Sequence, residues 1–100
     1  MNLEQLSRAL LKTHTELGLD AIDLMLLHTV TSKLKREGEA TIMPIIDNFE
    51  LTSRATTHAR LKNLIRNGFV GWDGDANNLR VKLLKQGEQY NKLEQLLSTI

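Results

Sequence analysis

Between Leu51 and Trp72 the chain holds no acidic residue, yet it places Arg54, Arg60, Lys62 and Arg66 there, interleaved with Thr52, Ser53, Thr56, Thr57, His58 and Asn63. These side chains share one chemistry: they offer hydrogen bonds and positive charge to a polyanion. Arginine forks onto guanine and asparagine pairs with adenine, while hydroxyls and the free N–H groups of a helix start bond phosphate oxygens. Residues 51–85 carry seven Lys/Arg against two Asp/Glu, whereas residues 1–50 carry five against eight and residues 86–100 one against two. The overall charge of +1 hides that segregation. A basic block inside a near-neutral chain marks a face meant for a polyanion. A solvated basic helix face has the same composition, and charge alone leaves the two readings even.

Other chemistries lack the residues they need. Cysteine is absent, so disulfides, thiolate metal sites and cysteine nucleophiles are excluded together. His14, His28 and His58 fall on different predicted helices with no ligand spacing, so no metal and no cofactor are expected. His28, beside Leu27, is expected to be a hydrogen-bonded core or interface histidine, and Trp72, in the strand after Gly68, to pack under the hairpin or to satisfy its indole N–H. No Gly-rich phosphate loop and no Gly-x-Ser-x-Gly occur, and the expectation is that the protein is not an enzyme.

The elements that position the basic block follow from periodicity. The length, with 41% apolar and 25% charged residues, one Pro and six Gly, fits a single globular domain over residues 1–100. A first helix is predicted over Leu3–Leu17 and is stopped by Gly18. Asp20 caps a second, whose Ile22, Leu24, Met25, Leu26, Leu27, Val30 and Leu34 make it central to the core, with Gly38 as its C-cap. Thr41 starts a short third helix that tolerates Pro44 in its first turn and buries Ile45, Ile46 and Phe49. Thr52 or Ser53 caps a fourth, running to Asn67 and ended by Gly68, with Thr57, Leu61, Leu64 and Ile65 facing inward.

The period then changes to two. A strand is expected over Phe69–Asp73, a turn over Gly74–Asn78 and a return strand over Leu79–Leu83, with Leu79, Val81 and Leu83 on one face. From Lys85 the helical period returns through Tyr90, Leu93, Leu96, Leu97 and Ile100. The fold class is mainly α with a small β-hairpin, in the element order of a winged helix-turn-helix.

The stretch from Ser53 to Val70 resembles the recognition helix and wing start of bacterial winged helix regulators of the MarR and Lrp/AsnC type. The positions that carry the resemblance are Thr56, Arg60, Leu61, Leu64, Gly68, Phe69 and Val70. The run Leu79-Arg-Val-Lys-Leu-Leu-Lys-Gln-Gly87 is similar to the MarR return strand leading into the last helix, and Leu17-Gly-Leu-Asp20 looks like the start of that family's second helix. The sequence also departs from the family. The wing tip, Asp75–Asn78, has no Arg, Arg80 lies two residues past it, Leu84 stands where the family has Thr, and the terminal helices are short.

The resemblance implies a sequence-specific double-stranded DNA binder acting as a small dimeric repressor. Its DNA-contacting residues would be Thr52, Ser53, Arg54, Thr56, Thr57, His58, Arg60, Lys62, Asn63 and Arg66 on the recognition helix, with Asn77, Asn78, Arg80 and Lys82 on the wing. Leu3, Leu6 and Leu10 of the first helix and Tyr90, Leu93, Leu97 and Ile100 of the last form apolar stripes expected to make a homodimer. Two alternatives stay open: a winged helix that docks on a protein of a transcription or replication complex, and a nonspecific nucleoid-type DNA binder. The start Met-Asn-Leu-Glu-Gln lacks a signal-peptide pattern, and the longest core-like apolar run, Leu24–Leu27, is far too short for a membrane helix. A cytoplasmic, nucleoid-associated location with no membrane contact is expected.

Overall fold

The computed structural model describes residues 2–73 and 83–99. The chain is mainly helical with a small two-stranded antiparallel sheet: α1 (Leu3–Leu17), α2 (Ala21–Glu37), α3 (Ile42–Asn48), α4 (Arg54–Arg66), β1 (Val70–Asp73), β2 (Leu83–Gln86) and α5 (Tyr90–Ser98).

Local chemistry sets these boundaries. Asn2 with Gln5, and Asp20 with Asp23, form reciprocal capping boxes at the starts of α1 and α2. Gly18 and Gly38 end the same helices with left-handed backbones, φ 70° and 77°, which cost glycine nothing. Ser53 caps α4, its Oγ accepting from the Thr56 N–H at 3.2 Å. Gly68, φ 83°, turns the chain from α4 into β1.

The core forms around α2, whose Leu26, Leu27 and Val30 are buried together with Ile45 and Ile46 of α3, Leu61 and Leu64 of α4, Val70 of β1, Leu84 of β2 and Leu93 of α5. Burial of each such side chain contributes about 1.5–3 kcal/mol. Thr13 of α1 is fully buried, its hydroxyl bonded back to the Ala9 carbonyl at 3.0 Å.

The sheet pairs Val70 with Gln86, Gly71 with Lys85, Trp72 with Leu84 and Asp73 with Leu83. On the other edge of β2 the Leu84 N–H donates to the Ala40 carbonyl at 2.7 Å, and Thr41 makes an isolated bridge, so the segment entering α3 runs along the sheet. Gly87 is sterically required: a Cβ there would overlap the Gly68 carbonyl oxygen.

Three sequence expectations need correction, and a fourth falls mostly outside the described residues. The last helix begins at Tyr90, not Lys85, because β2 continues through Gln86 and a turn at Gly87–Gln89 intervenes. Of the return strand expected at Leu79–Leu83, only Leu83 lies among the described residues. Leu93, expected at a dimer surface, is 4% exposed and packs in its own core. His28 is not a core residue: it is exposed, within hydrogen-bond distance of the Ser32 hydroxyl at 3.3 Å and at the rim of an apolar groove between α1 and α2, because it falls on the outer side of α2 while Leu27 and Thr31 turn inward.

Candidate nucleic-acid interface

Helix α4 buries Thr57, Leu61 and Leu64 and half-buries Ile65. At 3.6 residues per turn the opposite side must carry Ala55, Ala59, Lys62, Arg66 and Asn63, and all five are exposed. Arg54, His58, Lys62 and Arg66 recur every fourth residue and make an exposed polar stripe, with two arginines and a lysine in it, that winds onto that face. Thr56 and Asn63 lie beyond it. Ala55 and Ala59, in the N-terminal half of the face, leave the helix backbone close to whatever approaches it.

The start of α4 is organised by hydroxyls. The Thr57 Oγ1 donates to the Ser53 carbonyl at 2.9 Å and lies 2.7 Å from the Thr52 Oγ1, and Ser53 Oγ donates to Thr56 Oγ1 at 3.0 Å. Thr57 is fully buried, so its expected contact with DNA is withdrawn: the hydroxyl is satisfied inside the protein. Thr52 is half-buried, while Ser53 and Thr56 are exposed.

The arginines differ. Arg54 Nη2 lies 2.9 Å from Asp47 Oδ1, and both side chains are largely exposed, 67% and 49%. Arg60 is engaged inward. Its Nη1 donates to both oxygens of Asp20 at 2.8 Å and to Asp23 Oδ1 at 3.0 Å, while its Nε is buried with no hydrogen-bond partner. Burial pushes the Asp20 carboxyl up, but the Asp23 N–H and the Arg60 guanidinium outweigh it and hold the group below its usual range. The same bonds raise Arg60. In this arrangement Arg60 is not offered to an external ligand, contrary to the sequence expectation. The residues around it form a polar cleft of about 540 Å³ between the α1–α2 turn and α4, with Thr56, Ala59 and Asn63 on its α4 wall.

The chain matches no protein-family profile, and no curated protein or solved structure is measurably similar to it. Its site therefore stands on its own geometry.

Two features of that site escaped the sequence. Lys85, read there as a helix residue, lies on β2, and its aliphatic chain crosses the bare backbone of Gly71. It lines a polar cleft of about 770 Å³ with Arg66, Asn67, Asn91 and Glu88. The partners of Arg54 and Arg60 were also missed. Asp20 and Asp23 have the spacing of a capping pair, which was the only signal available. The wing residues Asn77, Asn78, Arg80 and Lys82 lie outside the described residues, as does Ile100. Among the described residues no three His, Asp or Glu side chains could hold a metal, and no helix is long and apolar enough to cross a membrane.

Proposed function

We propose that the protein is a winged helix-turn-helix DNA-binding domain that recognises a specific duplex sequence and acts as a small transcriptional repressor by occupying its site. The observation that carries this reading is the exposed face of α4. It presents a winding stripe of Arg54, His58, Lys62 and Arg66, with Asn63 and Thr56 beyond it and the small Ala55 and Ala59 in the N-terminal half of the face, with no carboxylate anywhere on the helix. Small side chains there let such a helix sit deep in a major groove, where cations meet phosphates and Arg or Asn meets base edges. The short α3 packed against α4, and the hairpin that follows α4 directly, supply the remaining parts of the motif.

The proposal includes a homodimer. An apolar groove of about 530 Å³ lies between α1 and α2, lined by Leu6, Leu10, Leu24, Met25, Phe49 and Leu51. Leu6, Met25 and Leu51 in its lining are 45%, 50% and 52% exposed, and Leu3, one turn before Leu6 on α1, is 80% exposed. A ridge and a groove on one face are what a two-fold contact between identical chains requires, since each copy must supply both. Tyr90 is half-buried against its own core, which leaves Leu97 as the contribution of α5.

The test is selection of binding sites from random duplexes followed by a salt titration. Specific affinity on the order of 10⁻⁸ M at moderate salt, falling steeply as salt rises, is expected. Equal affinity for selected and random duplexes would overturn the regulator reading in favour of a nonspecific binder. Absence of binding to any duplex would favour a protein-docking domain.

A further inference from the structure

We propose that Arg60 is a positioning residue: through Asp20 and Asp23 it locks the middle of α4 onto the start of α2, and so sets the direction in which the exposed side chains of α4 point. The proposal rests on the DNA-binding reading and adds to it the device that aims the helix.

Three observations carry it. The first is geometry. Arg60 is the seventh of the thirteen residues of α4, and it spans forty positions of sequence to bond both oxygens of Asp20 at 2.8 Å and Asp23 at 3.0 Å. Among the described residues it makes the only ion pairs between α4 and α2.

The second is preorganisation. Asp20 and Asp23 are already held by the capping box, with the Asp23 N–H on Asp20 Oδ1 at 2.8 Å and the Asp20 N–H on Asp23 Oδ2 at 3.3 Å. The guanidinium therefore binds an acceptor pair that needs no further ordering, and charge-assisted bonds of this kind are the stronger class.

The third is the cost of release. To reach a phosphate, Arg60 would break three bonds, draw its Nε out of a buried position, and leave two neighbouring carboxylates without their cation. Only the partial positive charge of the α2 N-terminus would then offset them. Arg54, Lys62 and Arg66 face no comparable cost, which divides the cations of α4 into one that aims and three that bind.

The two possible roles of Arg60 predict opposite signs for the aspartates. Duplex binding of the full chain is measured by fluorescence anisotropy over a range of salt, on the selected site and on a random duplex. The variants are Arg60→Met, Arg60→Lys and the double variant Asp20→Asn/Asp23→Asn. The lock predicts that Arg60→Met and the double variant both weaken the specific site, by about tenfold, the worth of one misplaced base contact. Random-duplex affinity and the salt slope should stay unchanged. Arg60→Lys should fall between, because it keeps a charge for the two carboxylates but carries it on a differently shaped side chain.

Stronger binding by the double variant, with a salt slope lowered by about one unit in Arg60→Met, would overturn the proposal and make Arg60 a phosphate contact held in reserve. Melting of the variants and of their combination, without DNA, guards against misreading an unfolded protein. The lock predicts losses of Tm that are markedly less than additive, and additive losses overturn it. Should the wild type bind no duplex, the DNA reading and this role fall together, and non-additive melting would then place the fault in the reading and not in the lock.

Discussion

The guanidinium of Arg54 lies 2.9 Å from the carboxylate of Asp47, across the turn that joins α3 to α4. Arg54 is the first residue of α4, so Asp47 holds a negative charge at the helix end where a phosphate would be attracted. DNA and Asp47 therefore compete for the same cation. Asp47→Asn is expected to raise duplex affinity about two- to fivefold at low salt, with the gain shrinking as salt rises. Because both side chains are largely exposed, Tm should move little, by less than about 1 kcal/mol equivalent. Anisotropy titrations at two salt concentrations check the first statement, and thermal melting without DNA checks the second.

Arg54 and Lys62 should separate base reading from phosphate holding. Arg54 sits at the helix N-terminus, the end that meets base edges in helix-turn-helix docking. Arg54→Ala is expected to relax base preference and to cost about 1–3 kcal/mol on the selected site. Lys62→Ala, just over two turns further along, should weaken all sequences alike and lower the salt slope by about one unit. If the two variants have the same effect on selected and random duplexes, Arg54 is a phosphate contact only.

The Thr57 hydroxyl gives a control inside the same helix. It is fully buried, bonded to the Ser53 carbonyl at 2.9 Å and placed 2.7 Å from the Thr52 hydroxyl. Thr57→Val keeps the shape but leaves the Thr52 hydroxyl without that partner, at a cost of about 1–3 kcal/mol. Chemical denaturation should record that loss, while the salt slope of duplex binding stays at the wild-type value.

Much of the fold was legible because local rules and tertiary packing agree. The caps at Asp20 and Ser53 and the stops at Gly18, Gly38 and Gly68 obey short-range chemistry, and α1, α2 and α4 take their boundaries from them. The boundary between β2 and α5 was not legible. Leu84-Lys-Gln continues a helical pattern backward from Tyr90, and only the pairing with Val70, Gly71 and Trp72, more than ten residues away, makes that segment a strand. The site divides in the same way. The exposed stripe Arg54, His58, Lys62, Arg66 follows from helical spacing alone. The commitment of Arg60 does not, because it depends on the start of α2 lying against the middle of α4, which no local pattern encodes.

Acid should weaken the contact between α2 and α4 before it unfolds the core. The folded state depresses the Asp20 carboxyl below 3.8, its ordinary value. A depressed carboxylate contributes stability that is fully present above its unfolded pKa and is lost as pH falls through the folded value. The contribution of Asp20 should therefore be constant near neutrality and disappear below about pH 4. Melting curves of wild type and Asp20→Asn from pH 7 to pH 2 should differ at neutral pH and converge in acid. A gap that persists at pH 2 would mean that Asp20 acts through shape and not through charge.

The dimer is tested by separating surface leucines from core leucines. Leu93 is 4% exposed within its own subunit, so Leu93→Asp should cost about 3–5 kcal/mol and unfold the chain instead of yielding a clean monomer. Leu6 is 45% exposed and lines the groove between α1 and α2, so Leu6→Asp should leave the fold intact and charge the contact surface. Sedimentation equilibrium at micromolar concentration should then find a dimer for the wild type and a folded monomer for Leu6→Asp. A two-fold pair sets its α4 helices about 34 Å apart, so the selected site should be an inverted repeat with half-sites about 10 base pairs apart. The monomer would hold only one half-site and lose most of the affinity, with half the salt slope. A wild type that sediments as a monomer and selects a single unrepeated site would refute the dimer while leaving the reading face of α4 in place.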